Sequence, residues 1–216
     1  MLQFFQIGIP IAFQDGLIQI AFIIITIIAN RRGLNDAAAV GIVEKVISFL
    51  FLVPSSMLSS VSALGAQNFG AGKPERAVET LKYAIMIAVG FGLTVAVVIQ
   101  FAADPVVSLF TDNGTVIHSG GQYLRGYIWD CVFAGIHFSF SGYFCACQKS
   151  GLSFLHNITA IVLVRVPGVY LMSKLFSDTL YFMGLATAAG SLLSVIICVI
   201  AFTILLKKER ENKAFR

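Results

Sequence analysis

Charged residues are scarce in this chain. Lys, Arg, Asp and Glu make up 12% of its 216 residues, whereas a typical soluble domain has about 25%. Apolar residues make up 57%, and a chain of this length has too little interior to hide so many of them from water. The composition therefore excludes an ordinary soluble fold and indicates a membrane protein.

Catalytic and nucleic-acid-binding signatures are also missing. The sequence has no His-Glu-x-x-His, Gly-x-Ser-x-Gly or Gly-x-Gly-Asp segment, so we do not expect an intramembrane enzyme or any catalytic residue. The net charge is only +4. Its basic residues gather near the chain end and do not form a face that would contact phosphates, so we expect no nucleic-acid partner.

The four cysteines give no sign of a metal site. All of them lie in apolar segments, and two form a Cys-x-Cys pair at Cys145 and Cys147. A zinc site typically uses two Cys-x-x-Cys units, which this sequence lacks. We predict buried free thiols, no metal ligands and no cofactor.

Six apolar runs are long enough to cross a bilayer, which takes about 20 residues of α-helix. The runs cover residues 4–29, 39–64, 78–103, 122–147, 154–175 and 181–206, and a basic tail follows at residues 207–216. The sequence therefore predicts an all-α, polytopic membrane protein, built as one bundle of six transmembrane helices.

Positive charge is distributed unevenly between the two ends of this bundle. One end of the bundle contains the loop at residues 65–76. The other end holds Arg31, Arg32 and Lys174, together with several aspartates. The side with the 65–76 loop and the tail holds Lys73, Arg76, Lys82, Lys149, Lys207, Lys208, Arg210, Lys213 and Arg216. The positive-inside rule then places both termini in the cytoplasm, and we expect the plasma membrane as the location.

Three of the predicted helices each carry one polar stripe at about 100° per residue. The stripes are Asp15, Gln19, Thr26 and Asn30 on the first helix, Glu44, Ser48, Ser55, Ser59 and Ser62 on the second, and Tyr123, Asp130, His137, Ser141 and Gln148 on the fourth. Polar side chains in hydrocarbon normally face the bundle interior or a water-filled cavity. We therefore predict that the three stripes surround a shared cavity.

The candidates for a substrate or cation pathway in this cavity are Asp15, Gln19, Glu44, Ser48, Asp130, His137 and Arg165. Arg165 needs an acidic partner inside the membrane, and both Asp130 and Asp15 are available. Structural roles stay open as alternatives. Asp130 and Arg165 can form an ion pair, His137 can be a packing residue, and the serines can bond to carbonyls of their own helix.

A carboxylate in such a cavity has two useful states. Exclusion of water favours the neutral acid, whereas a bound Na⁺ or organic cation favours the ionised form. A site that holds either a coupling cation or a cationic substrate exchanges one for the other, which is the chemistry of an antiporter.

The segment GAQNFGAGKPERA at residues 65–77 resembles the short cytoplasmic loop of multidrug and toxic compound extrusion (MATE) transporters. The matching motif residues are Gln67, Asn68, Gly70, Gly72 and Lys73. Two of them, the glycines, permit a tight turn, and the proline that follows suits the first turn of a new helix.

Further segments match the same family in chain order. They are IGIPIAFQD at 7–15, VGIVEKVISFLFLVP at 40–54, SLFTDN at 108–113, QYLRGY at 122–127 and VRVPGVYLM at 164–172. These segments resemble parts of the seventh to eleventh helices of the family. The chain is therefore similar to the C-terminal six-helix half, or lobe, of a MATE transporter.

This resemblance implies half of an antiporter that exports cationic or amphipathic small molecules in exchange for Na⁺ or H⁺. It also implies a second six-helix lobe, because alternating access needs two bodies that move about one site. That lobe would be a separate chain, a second copy of this chain or a missing N-terminal half, and membrane lipid would surround both.

The family's own C-lobe cation site does not transfer to this sequence. Some members carry an acidic residue deep in the seventh helix, where this chain has Gln19, and Asp130 is displaced from the family's tenth-helix aspartate. Two alternatives to the antiporter therefore stay open. One is an inactive fragment or partner subunit, and the other is a lipid or polysaccharide flippase of the wider superfamily.

Overall fold

The computed structural model describes residues 2–214, with side chains for residues 12–208 except Asp15. This part of the chain is all-α, as predicted, and contains no β-strand. The helices are α1 (Leu2–Asn30), α2 (Leu34–Leu50), α3 (Leu52–Gly70), α4 (Pro74–Ser108), α5 (Gly114–Tyr127), α6 (Trp129–Ala146), α7 (Ser150–Ala160), α8 (Val166–Leu175) and α9 (Tyr181–Ala214), with a π-helical turn at Ile161–Arg165 between α7 and α8.

Three of the six predicted runs are interrupted within their predicted bounds. The second run forms a rod that extends from Leu34 to Gly70 and breaks at Phe51. Pro54 explains this break, because it has no N–H to donate to the carbonyl of Leu50, four residues earlier. The fourth run breaks at Ile128, between α5 and α6, and the fifth contains the π-helical turn.

The helix boundaries differ from the prediction at three places. The third run was predicted to end at residue 103, but α4 continues through Pro105 to Ser108. Helix α5 begins at Gly114, not at residue 122, because the Asn113 side chain caps it by accepting bonds from the N–H groups of Thr115 and Val116. The last helix continues beyond residue 206, where the tail was expected to begin, to Ala214.

Five helical segments of the described chain are long and apolar enough to cross a membrane. They are Ala12–Asn30, Leu34–Gly70, Pro74–Ser108, Ser150–Leu175 and Tyr181–Lys208. The sixth rod, α5 with α6, is divided into helices of 14 and 18 residues and carries Asp130 and His137. All but three of the 18 residues of α6 are buried, so neighbouring helices shield these polar groups from lipid.

Helix α6 lies at the centre of the bundle, in contact with α3, α4, α7 and α9. Helix α4 lies at the periphery, and its large side chains Tyr83, Met86 and Phe101 are exposed. Helix α1 packs on α2, α7 and α8. Helix α2 packs on both α1 and α5, so these three helices meet beside the central helix α6.

One end of the bundle is held together by Arg32, in the loop between α1 and α2. Its guanidinium donates to the carbonyl oxygens of Ser173 at 3.0 Å, Phe176 at 2.9 Å and Ser177 at 2.6 Å, and it pairs with Asp36 at 2.9 Å. The end of α8 and the loop before α9 are therefore fixed to the first helical hairpin.

The opposite end contains the loop motif between α3 and α4. Gly72 has a φ of 70°, a left-handed conformation that favours glycine, whereas Gly70 is the last residue of α3. The N–H of Lys73 closes the turn by donating to the Asn68 carbonyl at 2.9 Å. Pro74 is the first residue of α4, as expected. The tight turn is thus formed at Gly72.

Candidate functional site

A buried ion pair joins α6 to the π-helical turn between α7 and α8. The Arg165 guanidinium donates through Nη2 to Asp130 Oδ2 at 2.5 Å, and the two side chains are 7% and 0% exposed. The same nitrogen also donates to the Tyr127 hydroxyl at 3.2 Å. Of the two acidic partners that the sequence left open for Arg165, the structure selects Asp130.

The backbone around Arg165 explains how this side chain reaches the bundle interior. Arg165 is the last residue of the π-helical turn, in which the N–H of Val166 donates to the carbonyl of Ile161. Such a turn contains one extra residue, and π turns of this kind often occur at functional sites. Pro167 favours the interruption, because it cannot donate to the carbonyl of Leu163.

The guanidinium lies between two aromatic rings. Its central carbon is 5.8 Å from the ring centroid of Phe22 on α1 and 5.8 Å from that of Tyr127 on α5. Gly190 of α9 packs against the base of the side chain, where an added Cβ would lie 2.8 Å from Arg165 Cβ. Aromatic faces attract a cation, and the glycine leaves room for it, so Arg165 is closely confined.

A cavity of about 310 Å³ lies next to this pair, between α1 and α2. It is lined by Gln19, Phe22, Ile23, Thr26, Ile27, Glu44, Lys45 and Ser48. Two residues of each polar stripe predicted for the first and second helices therefore meet here, Gln19 and Thr26 from one and Glu44 and Ser48 from the other. Phe22 connects the cavity with the ion pair, because it lines the cavity and its ring also faces Arg165.

Glu44 is the acidic side chain of this cavity. Its Oε2 accepts a hydrogen bond from the Thr26 hydroxyl at 3.1 Å, whereas its Oε1 is buried with no hydrogen-bond partner among the described residues. The Arg165 guanidinium interacts electrostatically with Glu44 as well as with Asp130. Two carboxylates and one guanidinium thus form one electrostatic group, which carries one net negative charge when all three are ionised.

Adjacent residues on a helix point in different directions, and Glu44 and Lys45 follow this rule. Glu44 is half-buried, whereas Lys45 is exposed at the edge of the cavity. Ser48 also lines the cavity, but its hydroxyl donates to the Glu44 carbonyl at 2.7 Å. Ser48 therefore bonds to its own helix, which was the alternative interpretation for the serines.

The polar stripe of the fourth helix faces a different neighbour from the one we expected. Asp130 contacts Arg165, the His137 ring lies 5.5 Å from that of His156, and Ser141 bonds to His156 at 2.8 Å. The stripe thus packs against the π-helical turn and α7. It does not line the cavity between α1 and α2, but Arg165 interacts electrostatically with both Asp130 and Glu44 and so connects the two regions.

The positions of two predicted residues, His137 and Asp15, and of one residue that was not predicted, Phe22, remain to be described. His137 also stacks on Phe138, with ring centroids 4.9 Å apart, so it lies within the core of the lobe. The Asp15 side chain lies outside the described residues. Phe22 was not among the candidates, although it lies one helical turn before Thr26 on the polar stripe, and that spacing would have identified it.

The fold agrees with that of solved MATE transporters. In the crystal structure of MATE in the straight conformation, 47% of the protein superposes on 97% of this chain with a TM-score of 0.89 and 17% sequence identity. The MatE family model matches residues 10–171. The chain therefore belongs to the MatE family, whose members are transporters and not enzymes.

Two curated relatives illustrate the range of this family. The FAD transporter of Shewanella oneidensis is 27% identical over 62% of this chain and 29% of its own length. The "Probable multidrug resistance protein NorM" of Halalkalibacterium halodurans is 23% identical over 94% of this chain and 43% of its own length. The chain thus spans less than half the length of the relatives it matches.

Proposed function

We propose that this chain is the C-terminal lobe of a cation-coupled efflux antiporter, which exports cationic and amphipathic small molecules in exchange for Na⁺ or H⁺. One observation carries the proposal. A half-buried carboxylate lines a cavity between two membrane helices, next to a buried pair that leaves the group with one net negative charge. Such a group stabilises a bound cation in a low-dielectric environment.

The exchange reaction follows from the shared binding site. When the cavity holds neither ion nor substrate, the low dielectric disfavours an uncompensated carboxylate, so a coupling cation is retained. An incoming organic cation supplies the same charge and releases the coupling cation. The apolar wall formed by Phe22, Ile23 and Ile27 gives the organic part of the substrate a surface that Na⁺ and H⁺ do not use.

Transport on this scheme requires a second six-helix lobe. Alternating access arises when two lobes rock about a central site, and this chain corresponds to about half of each solved MATE structure. We further propose that the lobe resides in the plasma membrane with both termini in the cytoplasm, because the basic residues concentrate at the end that holds the Gly72 loop.

Dye efflux tests the proposal directly. Cells that express the chain alone, or together with the N-terminal lobe of a MATE transporter, are loaded with ethidium, and efflux is followed under imposed Na⁺ and H⁺ gradients. We expect efflux only with the second lobe, and loss of most of it in Glu44→Gln. The matched control is Glu79→Gln, which removes a carboxylate from an exposed position of α4.

Two outcomes would contradict the proposal. Absence of efflux with every N-terminal lobe tested would favour an inactive fragment or partner subunit. Efflux that is equal in the unmodified chain and in Glu44→Gln would remove the cavity between α1 and α2 from the pathway.

A flavin nucleotide is a second candidate substrate. One relative is a FAD transporter, and Lys45 places an ammonium group at the edge of the same cavity, where it would attract a phosphate. Transport of FAD that is lost in Lys45→Gln, with no ethidium efflux, would favour this candidate over the cationic one.

A further inference from the structure

The two carboxylates of the site differ in their surroundings. Asp130 is fully buried, contacts the Arg165 guanidinium at 2.5 Å and does not line the cavity. Glu44 lines the cavity and receives one hydrogen bond from a neutral hydroxyl, that of Thr26. Its second oxygen, Oε1, has no hydrogen-bond partner in the described part of the chain. One carboxylate is therefore already neutralised by a cation, and the other is not.

The Arg165 guanidinium is held in place beside Asp130. It is covalently attached to the π-helical turn, it lies between the rings of Phe22 and Tyr127, and Gly190 packs directly on its base. A dissolved cation that bound Asp130 would have to displace this guanidinium and leave it buried without its ion-pair partner, which is strongly unfavourable.

The charges around Glu44 limit what the cavity binds. The groups that act on it are Arg165 and Lys45, and the nearby acidic or phenolic groups are Asp130, Tyr123 and Tyr127. The phenols are neutral at physiological pH. Lys45 is exposed, and its flexible chain can carry the ammonium away from the cavity. The charges of Glu44, Asp130 and Arg165 remain, and their sum is minus one.

We infer that Glu44, and not Asp130, binds the exchanging cation, and that Arg165 is a resident counter-ion that limits the site to one positive charge. This inference rests on the proposed function and deepens it. The substrate class becomes the monovalent cation. A dication would leave the site with an excess positive charge in a region of low dielectric, which is unfavourable.

Removing the charge of Asp130 alone, or the charges of Asp130 and Arg165 together, distinguishes which of the two carboxylates binds the cation. In Asp130→Asn, Arg165 loses its partner and neutralises Glu44, so cation binding falls although Glu44 is intact. In the double variant Asp130→Asn with Arg165→Met, both buried charges are removed and Glu44 again carries the net negative charge. The inference therefore predicts that the second substitution restores what the first removes.

Equilibrium dialysis of the purified chain with tetraphenylphosphonium measures this binding. We expect Glu44→Gln and Asp130→Asn each to weaken binding by about tenfold or more, because each removes a net charge at the ligand. The double variant should bind within about threefold of the unmodified chain. Adding Glu44→Gln to the double variant should abolish binding, whereas Glu79→Gln should change nothing.

The opposite pattern would overturn the inference. If the double variant fails to bind while Glu44→Gln binds normally, Asp130 is the exchanging group. Gel filtration and circular dichroism establish whether each variant is folded. If Asp130→Asn does not fold, binding by the double variant still distinguishes Glu44 from Asp130 as the exchanging group. Dialysis does not require transport, so absence of efflux with the predicted binding pattern would contradict the proposed function and leave this inference standing.

Discussion

Arg165 and Asp130 are 35 residues apart in the sequence, yet they form an ion pair whose two side chains are almost inaccessible, at 7% and 0% exposed. The other two ion pairs among the described residues, Arg32 with Asp36 and Arg125 with Asp104, lie at the end of the bundle and are partly exposed. The pair at Arg165 therefore differs from them in its dielectric environment, and its removal should have a different energetic effect.

We expect Arg165→Met to destabilise the lobe by about 3–5 kcal/mol, because Asp130 is then buried without a cationic partner. The double variant with Asp130→Asn should recover most of this loss, since it leaves no buried charge. Thermal unfolding in detergent, followed by circular dichroism, measures both effects. Equal destabilisation by the single and the double variant would show that shape, and not charge, determines the stability of this region.

A second prediction concerns Arg32, which bonds to the end of α8 and to the loop before α9. Arg32→Met should destabilise this end of the bundle by about 2 kcal/mol, because several carbonyl groups lose a charged donor. Limited proteolysis should then cut the 176–180 loop faster. Arg31→Met is the matched control, since Arg31 is exposed and adjacent. Equal cleavage of the two variants would contradict the assignment.

The crossing of α5 and α9 gives a third prediction. A Cβ added to Gly184 would lie 2.7 Å from the Tyr127 nitrogen, whereas one added to Gly41 of α2 would meet no atom within 4 Å. Gly184→Ala should therefore destabilise by about 1–3 kcal/mol through overpacking. Gly41→Ala should be neutral or stabilise by up to about 1 kcal/mol, because alanine favours a helix. Unfolding curves that rank the two variants in the reverse order would refute this packing.

The fourth prediction concerns Lys45, an exposed residue with a positive charge at the edge of the cavity. Lys45→Gln should strengthen tetraphenylphosphonium binding severalfold, by removing a like charge, and the gain should shrink at high salt because exposed charges are screened. Dialysis at low and high ionic strength measures both effects. Weaker binding in this variant would show that Lys45 supports the ligand, and would favour an anionic substrate.

Much of the site could be predicted from the sequence. A spacing of 100° per residue placed Gln19 and Thr26 on one face of the first helix, and Glu44 and Ser48 on one face of the second, and all four line the same cavity. Asp130, His137 and Ser141 of the fourth helix also share neighbours, in the π-helical turn and α7, because helical periodicity is a local property, but they do not line the cavity that the sequence predicted for them.

The sequence could not show which segment of the chain packs against the polar face of each helix. Periodicity shows that Asp130 and His137 share a side of α6, but both Arg165 and the cavity were possible neighbours for it. His156 gave no periodic signal that linked it to His137 and Ser141, although it contacts both. Gly126 precedes the break at Ile128 by two residues, but glycine interrupts a helix less strongly than the proline near the break at Phe51.

The sequence by itself indicated that this protein lies in a membrane, that it is helical, and which residues of three of its helices form a polar face. These properties depend on composition and local spacing, since hydrocarbon imposes the same requirement on every segment that crosses it. Only the tertiary structure decided that Arg165 pairs with Asp130 and leaves Glu44 facing the cavity. That choice depends on contacts between distant segments, in which the π-helical turn, Phe22 and Gly190 together fix the position of one guanidinium.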